Sequence, residues 1–401
     1  MEKENGIKEI SFWKSVILAV LLAAGIIFFL FYLLQMAPLG KYAFSADDAR
    51  IQYIDYFSFY KGILSGLNNP IYSFSKGLGG NVWGVMAYYL LSPLNGLIVF
   101  FTQKKLNSFY DILVLLKFSL ASGTMAYYLQ KRFHGTIESP FVILLGICYG
   151  LMQYNFEQAK NVMWLDPVTL FPLLLLGTYK VQRGNSILFL SIVIGLALIF
   201  NWYMGMIATM AAGFWSVWES LGIAIHQKSI EWKQWIFYEC KIIAAILLGV
   251  CLAGAVLVPA FSTMAGGRAG IDWNVLNRRY IGSNSSFLLG LQSGAISTNQ
   301  HVALFSGSFT VFCSLLWFIN PKGLLRNKLW VLGLLLLLLP LFYWRPAYFL
   351  FSLLKNATSY WYRYSFVGIF PFLYLAGQAL SCHAEKSIFH SFRKYLLLIY
   401  P

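Results

Sequence analysis

The 401-residue chain is 59% hydrophobic and 11% charged, about half the charged share of an ordinary soluble domain. So few charges cannot wet a surface, which excludes a water-soluble domain of ordinary size and implies a polytopic membrane protein of the cytoplasmic-membrane type. The formal net charge of +15 does not indicate nucleic-acid binding, because the basic residues sit at the ends of apolar segments and never form a dense run.

The first apolar run, 15–35, is nearly uncharged and reaches the roughly 20 residues that a helix needs to cross a bilayer. Lys3, Lys8 and Lys14 precede it, and no small-residue cleavage site follows a short apolar core. An uncleaved signal anchor with a cytoplasmic N-terminus is expected. Further apolar segments lie near 82–102, 109–130, 140–154, 166–180, 185–202, 204–222, 240–261, 302–319, 329–344 and 364–381, with a last one starting near 392. The expected fold is an all-α polytopic transmembrane helix bundle of about 10–11 spans forming a single domain over 1–401.

Orientation follows from charge. The groups Lys180/Arg183, Lys228/Lys233/Lys241, Lys322/Arg326/Lys328 and Lys386/Arg393/Lys394 alternate with less basic connections, as expected if they are cytoplasmic. For Lys131 and Arg132 to be cytoplasmic too, one of 82–102 and 109–130 must not cross. Gly79, Gly80, Gly84, Pro93, Asn95 and Gly96 interrupt the former, so it is placed in or on the outer leaflet. Two long external loops result, 36–108 with juxtamembrane helices and 262–300. Pro140, Pro167 and Pro172 near the ends of two short spans suggest broken helices lining a cavity. The chain stops inside an apolar stretch, 396–401, as a fragment of a longer protein would.

Cys148, Cys240, Cys251, Cys313 and Cys382 show no paired spacing, and His134, His226, His301, His383 and His390 are scattered. No disulfide framework, metal site or cofactor is therefore assigned. The glycine-rich run 76–81 fits no nucleotide-binding loop.

The candidate chemistry lies on the outer face. Asp47 and Asp48 are adjacent acids just beyond the first span. Ser45 three residues before Asp48 reads as a capping box for a helix running through Phe57. Equally, one carboxylate could deprotonate a hydroxyl while its neighbour raises its pKa. Both readings can hold together. Gln153, Glu157, Gln158, Lys160, Asn161 and Asp166 form a second polar set, readable as a solvated hairpin with Asp166 capping the next helix, or as a group that meets the first loop in space. Lys117, about two turns into a span, is a functional candidate by depth, with snorkelling as the alternative. Arg268, Arg278, Arg279, Arg345 and Arg363 are outer cations suited to phosphate or to anionic headgroups.

Several short patterns occur together in order. They are Asp48-x-x-x-Gln52-Tyr53, then Tyr72-Ser73, Gly77-Leu78-Gly79-Gly80-Asn81 and Tyr88-Tyr89-Leu90-x-Ser92-Pro93-x-Asn95. Downstream come Leu116-Lys117, Trp164-Leu165-Asp166-Pro167, Pro172-Leu173, Asn201-Trp202-Tyr203-x-Gly205 and Arg363-Tyr364-Ser365-Phe366. Their order resembles the YfhO family of bacterial membrane proteins over nearly the whole chain. That family is similar to the multi-spanning GT-C glycosyltransferases, which take sugar from a polyprenyl-phosphate carrier at the outer face.

The resemblance implies transfer of a sugar, N-acetylglucosamine or glucose, from undecaprenyl phosphate to an extracellular polymer such as lipoteichoic or wall teichoic acid. It implies Asp48 as general base with Asp47 as partner or substitute. Gln52, Tyr53, Lys117, Asp166 and Arg363 are expected to bind substrate, with Lys117 and Arg363 at the carrier phosphate. The implied partners are the lipid-linked sugar, the teichoic-acid acceptor and membrane lipid, without nucleic acid. Family members are usually considerably longer, so the chain is expected to carry the donor-side half. A flippase or transporter of the lipid-linked sugar is the alternative, since broken helices and buried charge also suit alternating access.

Overall fold

The computed structural model describes residues 2–226, 232–265, 271–283, 287–321, 323–355 and 359–381. The expected span from 392 lies outside the described residues, as do Cys382, His383, His390, Arg268, Lys228, Lys322, Lys386, Arg393 and Lys394. Among the described residues the architecture is all-helical apart from one two-stranded hairpin. Six helices among the described residues are long and apolar enough to cross a membrane.

The first, α1 (Glu2–Leu33), buries Ser15, Ala19, Ala23, Ile27 and Phe31, one residue every four, so a single stripe faces the protein. That stripe packs on α3 (Leu106–Arg132) and α4 (Ser139–Gly150). In lipid, helix association relies on close packing, which small residues permit. Gly146 and Gly150, four apart on α4, lie against the backbone of α3 at Ser122 and Phe118. The next helix, α5 (Leu165–Gln182), is the centre of the bundle: 83% of its apolar window is buried, against 22% for that of α1.

Around α5 pack α3, α6 (Leu188–Phe200) and α7 (Trp202–His226). The last two are separated by Asn201 alone, which is extended, donates to Tyr88 O and accepts from Met204 N. The expected span 240–261 is divided at Ala253 into α8 (Trp232–Leu252) and α9 (Gly254–Ala265). The chain continues through α10 (Ser308–Ile319), α11 (Leu325–Tyr343), the short α12 (Arg345–Phe351) and α13 (Ser365–Ser381). Ser314 Oγ of α10 donates to Phe372 O of α13 at 2.7 Å, so a hydroxyl joins two otherwise apolar faces.

The connection from α1 to α3 carries α2 (Ile54–Leu64). It also carries the hairpin of β1 (Tyr72–Ser73) and β2 (Gly80–Asn81), so the glycine-rich run forms part of the turn and the second strand of a hairpin that the sequence reading does not anticipate. Its helical pair Trp83–Leu90 and Pro93–Phe100 bends by 92°. Ser92 is extended, as the residue before proline prefers, and this breaks the helix where the glycine and proline pattern pointed.

One local expectation is corrected. Ser45 does not cap a helix through Asp48, because its hydroxyl donates to Asn107 Oδ1 at 3.0 Å. The helical turn begins instead at Ala49, after an Asp48 that makes no capping bond. Similarly, Asp166 lies within the first turn of α5 and sends its carboxylate to other elements.

The contact of α3 with α4 is testable. A Cβ on Gly150 would lie 1.8 Å from Ser122 Oγ and 2.5 Å from Phe118 O, whereas one on Gly213 would meet nothing within 4 Å. Gly150→Ala is expected to destabilise by about 1–3 kcal/mol, as overpacked sites do. Gly213→Ala should leave the unfolding temperature unchanged or raise it, as measured by circular dichroism of the detergent-purified protein.

Candidate functional site

Four segments distant in sequence meet at one end of the bundle around a cavity of about 400 Å³. Asp47 and Asp48 come from the connection after α1, and Glu157, Gln158 and Lys160 from the turn between α4 and α5. Ile296 and Ser297 come from the second long connection, and Ser359, Tyr360 and Trp361 from the turn before α13. The polar set between α4 and α5 thus meets the first connection, as one reading of the sequence expects.

Asp47 Oδ2 accepts from Lys160 Nζ at 2.6 Å, and Asp48 Oδ2 accepts from Tyr360 Oη at 3.1 Å. Lys160 Nζ also lies 5.1 Å from the centre of the Tyr360 ring. Burial, the bond to Asp48 and the charges of Asp48 and Asp47 push the Tyr360 hydroxyl up from 10.0 to about 12. Any contribution that this raised value makes to stability is therefore complete below pH 10 and is lost as pH rises through about 12. Glu157 Oε1 accepts from Ser297 N at 2.9 Å, which ties the second long connection to the site, while its buried Oε2 has no protein partner among the described residues.

The backbone is strained at this place. Asp47 has φ 51°, Tyr360 φ 51° and Tyr362 φ 53°, the left-handed region that bulky side chains avoid. The turn before α13 is held nonetheless. Arg363 donates through Nη2 to Ser359 O at 3.0 Å and through Nε to Tyr360 O at 3.2 Å, while Tyr154 Oη donates to Arg363 O at 2.8 Å. Residues kept in sparsely populated conformations by surrounding bonds concentrate at functional sites.

Beside the cavity runs a chain of aromatic rings. Tyr53 and Tyr89 lie 5.1 Å apart, Tyr88 and Tyr203 6.1 Å, Trp164 and Tyr203 6.3 Å, and Trp164 and Tyr360 5.7 Å. The Arg363 guanidinium sits 5.3 Å from the Trp164 ring centre. Residues 49–53 and 86–90, which supply Tyr53, Tyr88 and Tyr89, are wound as wider π-type turns, a feature frequent at functional positions. Among the described residues no three His, Cys, Asp or Glu side chains converge as a metal-ligand set.

The residues singled out in the sequence therefore separate into two groups. Asp47 and Asp48 line the cavity, and Arg363 braces its strained wall. Tyr53 Oη donates to Asn161 Oδ1 at 3.1 Å, next in the chain to the cavity residue Lys160, and Gln52 is half-buried. Lys117 and Asp166 lie elsewhere. Lys117 Nζ is 2.7 Å from Asp166 Oδ2 and donates to Val162 O at 2.9 Å, and Ser92 Oγ donates to Asp166 Oδ1 at 2.8 Å. With side-chain exposures of 1% and 5%, the two charges neutralise each other inside the bundle. Lys117 thus keeps its ammonium inside the bundle instead of snorkelling to the headgroups.

Lys160, Glu157 and Tyr360 are the ionisable cavity residues, beside Asp47 and Asp48, to which the sequence alone assigns no individual role. The first two belong to the polar set already noticed. Tyr360 gave no signal beyond standing three residues before Arg363.

A family model described as "Bacterial membrane protein YfhO" matches residues 19–400, nearly the whole chain. No curated protein matches the sequence.

The buried pair offers a direct test. Lys117→Met leaves the Asp166 carboxylate without its counter-ion, an error that costs about 3–5 kcal/mol. The unfolding temperature should fall steeply for that variant, and Lys117→Met combined with Asp166→Asn should recover a large part of the loss.

Proposed function

Because the chain belongs to the YfhO family of bacterial membrane proteins, we propose that it is a membrane glycosyltransferase acting at the extracellular face of the bacterial cell membrane. It moves N-acetylglucosamine or glucose from undecaprenyl phosphate to a cell-wall polymer such as lipoteichoic or wall teichoic acid. The observation that carries this reading is the cavity at one end of the bundle where two adjacent carboxylates meet Lys160, Tyr360 and a strained, braced turn.

In this mechanism Asp48 is the general base. It takes the proton of an acceptor hydroxyl as that oxygen forms a bond to the anomeric carbon, and the bond from that carbon to the carrier phosphate breaks with its electron pair staying on phosphate. Tyr360 Oη holds the carboxylate in place through its bond to Oδ2, leaving the other oxygen for the acceptor. Asp47, paired to Lys160, orients the ammonium rather than taking the proton itself. The leaving phosphate is a stable anion, so fixed positive charge provides most of the stabilisation. Lys160 in the cavity and Arg363 behind it supply that charge, in place of the buried Lys117. The aromatic rings beside them offer apolar faces against which the C–H surface of a sugar packs.

Support for the reading comes from the way the family-like patterns converge. Asp48 and Arg363 flank Tyr360, Trp164 joins Arg363 to Tyr203, and Asn201 fixes the backbone at Tyr88. Residues spread from position 48 to position 363 thus serve one locality.

The test is the sugar content of teichoic acid, by mass spectrometry or NMR, in a deletion strain complemented with wild type or variants at equal protein level. Asp48→Asn is expected to lower transfer about 10²–10⁴-fold, as loss of a general base does, and Tyr360→Phe to lower it less. Full restoration by Asp47→Asn combined with Asp48→Asn would remove the mechanism and favour movement of a lipid-linked sugar across the bilayer.

A further inference from the structure

A second polar site lies at the other end of the bundle. Asn107, near the start of α3, contacts the segment that carries Asp47 and Asp48, whereas Arg132 ends the same helix. At about 1.5 Å per residue the two are roughly 38 Å apart. Around Arg132 a cavity of about 400 Å³ is lined also by Arg183, Trp218, Glu219, Asn327, Trp330 and Gln378. It adjoins an apolar groove of about 680 Å³, walled by Phe214 and Trp215 of α7, Leu337 and Leu338 of α11, and Phe370 of α13. Trp218 and Trp330 line both, so groove and cavity adjoin at the two indoles.

Unpaired polar atoms are concentrated on the residues that line this cavity. Arg132 Nε, Trp218 Nε1 and Trp330 Nε1 are buried donors, and Asn327 Oδ1 and Gln378 Oε1 are buried acceptors, with no hydrogen-bond partner among the described residues. Buried polar groups in native proteins are nearly always paired, so five unpaired atoms around one cavity point to a ligand. The two indoles are stacked, 6.1 Å apart with an 8° interplanar angle. A Cβ on Gly222 would lie 2.7 Å from Trp330 Nε1, so glycine there admits the ring. Charge adds a second clue. Arg132 is neutralised by Glu219 at 2.5 Å, whereas Arg183 makes no ion pair among the described residues. Among the described residues, one positive charge of this cavity is therefore without an ion-pair partner.

We propose that this space binds a glycerophospholipid with a singly charged, hydroxyl-bearing head, of the phosphatidylglycerol type, with an acyl chain in the groove and the phosphoglycerol head in the cavity. The three N–H groups and the Arg183 charge suit phosphate oxygens, the two amide oxygens accept from the glycerol hydroxyls, and the apolar walls bury the chain. This site is separate from the glycosyl-transfer cavity and does not rest on that reading.

The experiment is native mass spectrometry of the full chain in detergent, titrated with dioleoyl phosphatidylglycerol, dioleoyl phosphatidylcholine or free glycerol phosphate. Phosphatidylglycerol should be retained at about tenfold lower concentration than phosphatidylcholine, and Trp218→Phe combined with Trp330→Phe should erase that preference, because each change deletes a bond to a charged group and keeps the ring. Arg183→Gln should weaken the preference as well. Equal retention of the two lipids, or an undiminished preference in the double tryptophan variant, would overturn the proposal. So would a photo-cross-linker at Leu337 that captures a peptide of this chain in place of added lipid, or glycerol phosphate binding as tightly as the lipid.

Discussion

The ion pair of Lys117 and Asp166 is the constraint around which the bundle is arranged. Two opposite charges removed from water are tolerated only in good geometry with their remaining hydrogen-bonding capacity satisfied. Here Val162 O takes a second ammonium proton and Ser92 covers the other carboxylate oxygen. Those requirements bring together the middle of α3, the first turn of α5 and the bend of the first long connection. Tyr110 Oη, donating to Ala159 O at 3.0 Å, adds a second tie from α3 to the same turn. Residues 159–164 consequently have little freedom, and their geometry presents Lys160 to the cavity, Asn161 to Tyr53 and Trp164 to Arg363. A charge pair inside the bundle thus positions groups that stand at its end.

This explains why part of the candidate site was legible in the sequence and part was not. Six of the expected spans match helices long and apolar enough to cross among the described residues, because apolar runs of sufficient length have few alternatives in a chain this poor in charge, and the break at Pro93 follows from residues that end helices locally. Asp47 and Asp48 were visible because adjacent acids beside a span are rare. Lys117 stands out by its depth, yet its pairing with Asp166 is invisible in the sequence, since a partner 49 positions away leaves no spacing pattern. Ser45 was misread for the opposite reason: a local capping rule lost to Asn107, 62 positions on. Tyr360, Glu157 and the polar atoms around Arg132 become significant only when distant helices are placed side by side.

Strain and bracing at the acid cavity belong together. A tyrosine at positive φ is costly, and the turn from 359 to 364 contains two. The bonds from Arg363 and Tyr154 hold it in one conformation, so Tyr360 meets Asp48 without searching. Preorganisation of this kind matters most for charge stabilisation, because a fixed donor needs no reorganisation when charge develops. The same Arg363 that braces the turn lies against Trp164 and Tyr203, which couples the conformation of the turn to the aromatic wall.

The two polar sites differ in what lies between them, and this bears on the choice between transfer and transport. A polar head moving from the Arg132 cavity toward Asp48 would enter the apolar groove and meet packed aromatic rings: Phe171 lies 5.1 Å from Phe366 and 5.7 Å from Phe370, and Tyr128 lies 5.3 Å from Phe370. The groove itself offers tryptophan, leucine and phenylalanine side chains and no charged side chain along its length. An unpaired charge in such surroundings is strongly disfavoured. Transport through this arrangement would require the helices to separate and expose the Lys117–Asp166 pair or its neighbours. Transfer at one end and lipid binding at the other require no such separation, and each site keeps its own complement of charge.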